Sequence, residues 1–191
     1  CMKHYIGYSD PANGKDRTPA YIPAVELWEH HLPPFEAAVR AGTSTAMINS
    51  ASVNGMPVHG SKELLTGTLR GKLGFEGLIV SDWEDVKRLH TRHNVAETPR
   101  EAVRMAVEAG IDMSMVPHDF SFAEHLVSLV KDGEVSEERI DRSVAIILDL
   151  KERLGLLDNP YAEPEAAKNF GLPEYQDLAL EAARQTITLL K

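Results

Sequence analysis

Cysteine is almost missing from this chain: Cys1 is the single one in 191 residues, which excludes any disulfide within it. Long apolar runs are missing too. Nowhere do eighteen apolar residues follow one another, as a membrane-spanning helix of ordinary length requires. Positive charge is in deficit, with 20 Lys and Arg against 29 Asp and Glu and a net charge of -9. A phosphate backbone is therefore repelled over most of the surface, and nucleic acid is disfavoured as a partner. There is no Asn-x-Ser/Thr glycosylation acceptor, and no charged-apolar-small leader opens the chain. Because the chain starts at Cys1, directly in strand-like sequence, we expect a segment to precede it, and the compartment stays open. What is present is 43% hydrophobic residues, enough for one domain, or part of one, with a real core.

Three stretches read alike: Ala41 to Ser50 (AGTSTAMINS), Gly74 to Trp83 (GFEGLIVSDW) and Ala109 to His118 (AGIDMSMVPH). Each starts near a Gly, passes through strand-forming residues and ends in polar ones. They recur about every 34 residues, the length of a βα unit. Helices with readable ends lie between them. One starts near Ser61 and closes at Gly71 or Gly74. Thr98-Pro99-Arg100-Glu101 reads as a capping box whose helix ends at Gly110, and Ser121 to Glu124 reads as a second, ending at Gly133. Ser136 opens a long amphipathic helix with an apolar stripe through Ile140, Val144, Ile147, Leu148, Leu150 and Leu154. The helical pattern of Val25 to Ala41 is broken by Pro33 and Pro34. The opening CMKHYIGYSD gives a fourth strand candidate, followed by a Gly/Pro/Asp loop from Ser9 to Pro23. Alternating strands and helices predict an α/β fold with parallel βα repeats. After Leu154 the pattern changes to a turn at Asp158 to Tyr161, a short helix near Glu163 to Asn169 and a last helix from Pro173 to Lys191. We therefore expect one domain over residues 1–155 and a helical linker over 156–191.

In parallel α/β folds the carboxyl ends of the strands face one crevice, where ligands bind. Here those ends carry Lys3 and His4, Asn49 and Ser50, Asp82 and Trp83, and Met115 with His118 beyond it. A carboxylate, cationic hydrogen-bond donors and an indole in one mouth fit sugar chemistry: the carboxylate attacks an anomeric carbon and the indole stacks on a pyranose. Structural alternatives stand beside each. Asp82 fits an N-cap or turn acid equally well, Trp83 alone fits core packing, Lys3 and His4 fit a strand ending in solvent, and Met47, Met113 and Met115 fit core filler. Arg88 reads as a surface charge or a subsite residue. The pairs His30-His31 and His90-x-x-His93 have no third ligand at a recognised spacing, so no metal is assigned, nor any cofactor. The charges from Glu134 to Arg142 read as a solvated helix face.

KHY at Lys3 to Tyr5, LPPF at Leu32 to Phe35, GFEGLIVSDW, AGIDMSMVP, DGEVSEERID at Asp132 to Asp141 and LGLLDNPYA at Leu154 to Ala162 resemble, in order, the motifs of glycoside hydrolase family three. That family comprises retaining β-glucosidases and exo-β-glucanases, and the resemblance covers essentially the whole chain. It implies the C-terminal half of a TIM (β/α)8-like barrel followed by a linker toward a second α/β domain. It implies Asp82 as nucleophile, Lys3 and His4 as binders of sugar hydroxyls, and Trp83, Met47 and Met115 as pocket walls. Arg88 then faces the leaving-group side. Many members carry a Tyr near the nucleophile where this chain has Ser50. The Asp-x-His dyad of the β-N-acetylglucosaminidase branch has no counterpart in the loop SDPANGKDRTP, which argues against that branch.

A retaining glycosidase uses two carboxyl groups about 5 to 5.5 Å apart. Only Asp82 is assigned, Glu84 being expected in the outgoing loop, so the acid/base is expected to be a Glu outside this chain. Four strands cannot close a barrel of eight, and the missing N-terminal half-barrel and C-terminal domain become the expected partners. The function expected is exo-acting hydrolysis of terminal β-D-glucosyl residues of a β-linked glucoside or oligosaccharide through a glycosyl-Asp82 ester. The alternatives are a β-xylosidase or exo-glucanase of the same family, or a non-catalytic carbohydrate-binding or assembly module. The resemblance favours a periplasmic or secreted protein.

Overall fold

The computed structural model describes residues 1–191, which divide into two compact units, Cys1–Lys151 and Glu152–Lys191. In the first, strands β1 (Met2–Tyr5), β2 (Thr45–Ile48) and β5 (Leu78–Val80) form a parallel sheet in the order β1-β2-β5. The register sets Met2 beside Ala46, Thr45 beside Leu78 and Met47 beside Val80. Lys3 and His4 thus lie within β1 rather than at its end. The chain is an α/β fold with parallel strands.

The fourth expected strand is reduced to one parallel bridge between Val80 and Met113. Asp112 explains why. Its carboxylate accepts the Ile79 N–H at 3.0 Å, a donor that a regular ladder would give to a backbone carbonyl. The segment still runs alongside β5, since Ser81 N–H donates to Met113 C=O and Glu84 N–H to Met115 C=O, both at 2.9 Å. Gly77 allows the close approach of β5 to β2: a Cβ there would lie 2.3 Å from the Ser44 carbonyl oxygen.

After β1 the loop leads to α1 (Ala24–Glu26), a π-type turn over Leu27–His31, and α2 (Pro33–Arg40). The break falls where Pro33 cannot donate a backbone hydrogen bond. Beyond β2, β3 (Ser52–Val53) and β4 (Met56–Pro57) form an antiparallel hairpin whose turn residues Asn54 and Gly55 have φ of 51° and 87°. Asn-Gly is the strongest short hairpin signal, and the sequence reading passed over it. A 3-10 turn, Val58–Gly60, then leads into a π-type helix, Glu63–Lys72.

The helices α3 (Asp85–Thr91), α4 (Pro99–Ala109) and α5 (Ser121–Lys131) cover the sheet, with α4 packed against both neighbours. Thr98 caps α4 by accepting the Glu101 N–H at 3.1 Å. The Glu101 carboxylate takes the Glu97 N–H at 2.7 Å, one residue before the cap itself. The second capping box does not form. Ser121 is already helical, its N–H and hydroxyl both donate to the charged Asp119, and the Glu124 N–H goes to the Phe120 carbonyl.

Tyr5, Ile48, Ile79 and Ile111 from the sheet layer are fully buried with Leu65, Leu69, Val86, Leu89, Ala102, Ala106 and Leu129 from the helices. Burying a side chain of this size contributes on the order of 1.5 to 3 kcal/mol. The helix α6 (Glu137–Arg153) follows, docked by Arg139, whose guanidinium donates to the Val107 and Ile111 carbonyls at 3.0 and 2.8 Å. Its expected apolar stripe is only partly covered, with Val144 and Leu148 at 45% and 49% exposure. No helix is long and apolar enough to cross a membrane.

The second unit holds a 3-10 segment, Pro164–Asn169, and α7 (Pro173–Thr186). The expected helix to Lys191 stops at Thr186, because Ile187 is extended (ψ 117°) and Thr186, Ile187 and Thr188 are β-branched. Leu178, Ile187, Leu189 and Leu190 are all exposed.

Candidate active site

Asp82 follows β5 directly and is 6% exposed. Every polar atom of this residue is engaged. Its Oδ1 accepts the Trp83 N–H at 2.6 Å, and its Oδ2 accepts the Ser50 hydroxyl at 2.8 Å. Arg17 Nη2 lies 3.4 Å and His4 Nε2 3.7 Å from the same Oδ2. The Asp82 N–H donates to His59 Nε2 at 3.1 Å, and its carbonyl accepts from the Ser81 hydroxyl and the Asp85 N–H. Burial alone pushes the carboxyl up, yet the Trp83 N–H, the Ser50 hydroxyl, the Arg17 guanidinium and His4 outweigh it, holding the carboxyl below its usual range. A carboxylate so held is ionised at neutral pH and fixed in direction.

Ser50 therefore supplies a hydrogen bond to Asp82 in place of the Tyr found in many members. Asn49 turns the other way: its side chain bonds the Ile6 carbonyl and the Ala51 N–H at 2.7 and 2.8 Å, and so shapes the exit of β1 instead of facing the mouth. His4 lies against Tyr8, ring centroids 4.6 Å apart. Lys3 is exposed and borders a cavity of about 420 Å³ with His4, Tyr8, His31 and Phe35. Trp83 is 45% exposed, edge-on to His118 at 6.0 Å. Met47 on β2 and Met115 beside β5 are half-buried. Met115 is fixed by its N–H, which donates to the Ser81 hydroxyl at 2.8 Å.

Arg88 is not brought to Asp82. Its guanidinium binds Asp85 Oδ1 at 2.8 Å along α3. Glu84 has a left-handed backbone (φ 59°) at the start of α3 and borders a separate apolar cavity of about 160 Å³ with Val86, Val103 and Phe122.

Two neighbours of Asp82 escaped the sequence reading. Arg17 sits in the loop read only as Gly/Pro/Asp punctuation, and the cations Lys15 and Arg17 amid turn residues are its only signal. His59 sits in a 3-10 turn with no periodicity to mark it. The pairs weighed for metal behave otherwise. His93 bonds the Ser50 backbone, which offsets part of the lowering of its pKa by burial, and His90 Nδ1 meets the Ala96 carbonyl at 3.0 Å. His31 joins Asp10 and Glu26 in a group whose ligand atoms lie within 4.8 Å of one another on the surface.

Residues 1–150 match the family model of the glycosyl hydrolase family 3 N-terminal domain. The chain belongs to glycosyl hydrolase family 3. Among curated relatives, the lysosomal beta glucosidase of Dictyostelium discoideum is 50% identical over 99% of this chain and 23% of its own length. The putative beta-xylosidase of Formosa agariphila is 42% identical over 99% of the chain and 25% of its own length. Among solved structures, a β-glucosidase from Erythrobacter marinus superposes with a TM-score of 0.91 at 37% identity, covering 99% of this chain and 25% of that one. An exo-1,3/1,4-β-glucanase from Pseudoalteromonas gives 0.86 at 34% identity, with 99% and 24% coverage. This family 3 chain spans about a quarter of the length of the relatives it matches.

Proposed function

We propose that this chain is the nucleophile-bearing part of a retaining, exo-acting β-glycosidase, working within a longer polypeptide as the second half of a (β/α)8-like barrel. One observation carries the reading: Asp82 presents an ionised carboxylate at the carboxyl end of β5, aimed by Ser50 and Trp83 N–H, with an imidazole 3.7 Å away. β1 also stands at the edge of its sheet, an edge that a full barrel would pair.

In the first step one Asp82 oxygen attacks C1 of the bound sugar. The bond from C1 to the aglycone oxygen breaks, and that oxygen takes a proton from a carboxylic acid supplied elsewhere in the longer chain. In the second step water adds to C1, gives its proton to that same carboxylate, and releases Asp82. His4 and Lys3 donate to sugar hydroxyls, Trp83 offers an apolar face with Met47 and Met115 beside it, and Arg88 acts on the leaving-group side through the turn it braces with Asp85. Glucose is the first sugar to test, since the relative 50% identical over nearly the whole chain is named a β-glucosidase. Xylose is the second, since another at 42% is named a putative β-xylosidase.

The test is the stereochemistry of hydrolysis by the longer enzyme. Proton NMR of aryl β-glucoside turnover is expected to show the β-anomer of glucose first, mutarotating later. First appearance of the α-anomer overturns the covalent route, and no turnover of either the glucoside or the xyloside favours a carbohydrate-binding role.

A further inference from the structure

We infer that His59 is a positioning residue for the nucleophile: a neutral imidazole that ties the end of β2 to the end of β5 and fixes the backbone from which Asp82 attacks. The inference rests on the proposed glycosidase function and adds to it a residue outside the sugar-facing set. His59 is 2% exposed and lies in the 3-10 turn after the hairpin, away from the mouth. Its Nε2 receives the Asp82 N–H at 3.1 Å, so Nε2 carries no proton. The ring proton is then on Nδ1, and the ring's second partner is the backbone of Asn49, whose carbonyl can only accept. Each neighbour therefore selects the same tautomer. Burial reinforces it by driving the imidazole pKa down to about 4 against the opposing pull of Asp85 and Asp82, with His93 also lowering it.

The consequence for Asp82 is specific. Its carboxylate is aimed by Ser50, and Ser50 follows Asn49 at the end of β2. One ring thus holds both the residue that attacks and the strand end that aims it. A hydrocarbon of the same bulk would fill the space but leave the Asp82 N–H buried without an acceptor, which costs more than the bond itself was worth. The backbone would relieve that cost by turning, and displacements of 1 Å at a reacting group cost about 100-fold in rate.

The test compares wild type, His59→Gln and His59→Leu in the longer enzyme. Gln returns an acceptor oxygen near the Nε2 position; Leu does not. The rate of covalent labelling by a 2-deoxy-2-fluoroglucoside, read by mass spectrometry, reports attack by Asp82, and inhibition by glucose reports ground-state binding. We expect H59L to label roughly 10- to 100-fold more slowly, with glucose inhibition changed less than about threefold, and H59Q to recover most of the loss. Labelling of folded H59L at the wild-type rate overturns the inference, as does an equal loss in H59Q and H59L. If H59L does not fold, H59Q decides: labelling within about threefold of wild type supports the role, and a larger loss overturns it. Wild type that takes no label at Asp82 is a different failure, since it removes the glycosidase reading and this inference with it.

Discussion

Two buried aspartates stand on adjacent strand segments of this molecule and do opposite work. Asp112 is saturated: Arg70 binds it at 2.5 Å, Ser143 donates at 2.6 Å, the Ile79 N–H at 3.0 Å, and Arg139 lies 3.6 Å away. Its side chain is 2% exposed. Asp82 takes two firm bonds, from Ser50 and the Trp83 N–H, and keeps the Arg17 guanidinium at 3.4 Å and the His4 imidazole at 3.7 Å. A carboxylate clamped by short charged bonds is a structural tie. One held by neutral donors, with its guanidinium standing off, stays ionised and still has capacity to bond elsewhere. The site is thus marked less by its acid than by how loosely the acid's charges are answered.

The largest effect that would break this contrast is expected at Asp82 itself. Replacement by Asn in the longer enzyme should lower kcat by about a thousandfold or more, while the urea unfolding midpoint barely moves. A D82N enzyme with activity near wild type would remove the distinction. Asp112→Asn should do the reverse, leaving Arg70 and Arg139 facing a neutral group and costing about 3 to 5 kcal/mol in urea unfolding. The folded fraction should keep its specific activity, and an unfolding free energy equal to wild type would show the tie to be idle.

A smaller effect sharpens how Asp82 is tuned. Ser50→Ala removes a donor that favours the charged carboxylate, so the Asp82 pKa rises. On the proposed mechanism only the ionised form attacks, so the acid limb of the kcat/KM profile should move to higher pH, with a loss of about tenfold in kcat/KM from a bond worth roughly 1.5 kcal/mol. A limb that stays in place or moves to lower pH contradicts the sign. The smallest effect belongs to the cap of α4: Thr98→Ala should cost about 1 kcal/mol in stability and leave the activity unchanged.

The same contrast explains what was legible in the sequence. Periodicity and punctuation carried the scaffold, as in β2, β5, the Thr98 cap and the break at Pro33, because those follow from local backbone rules. The position of Asp82 at a strand end was legible for that reason. The fourth strand was overread because Asp112 takes a ladder donor with its side chain, a long-range choice coupled to Arg70 and Arg139 that alternation cannot reveal. Arg17 and His59 were missed on similar grounds. They reach Asp82 from 65 and 23 residues away through a loop and a turn, where no period constrains the side chain. The second capping box failed more locally, since Asp119 competes for Ser121 from just outside the expected motif.

The central claim is that Asp82 forms the bond to the sugar. Incubating the longer enzyme with a 2-deoxy-2-fluoro-β-glucoside and mapping the added mass by peptide sequencing tests it most directly. The account predicts one fluoroglucosyl group on the tryptic peptide from Leu73 to Lys87, localised to Asp82. A label on any other residue, in an enzyme that hydrolyses the unfluorinated glucoside, would contradict it.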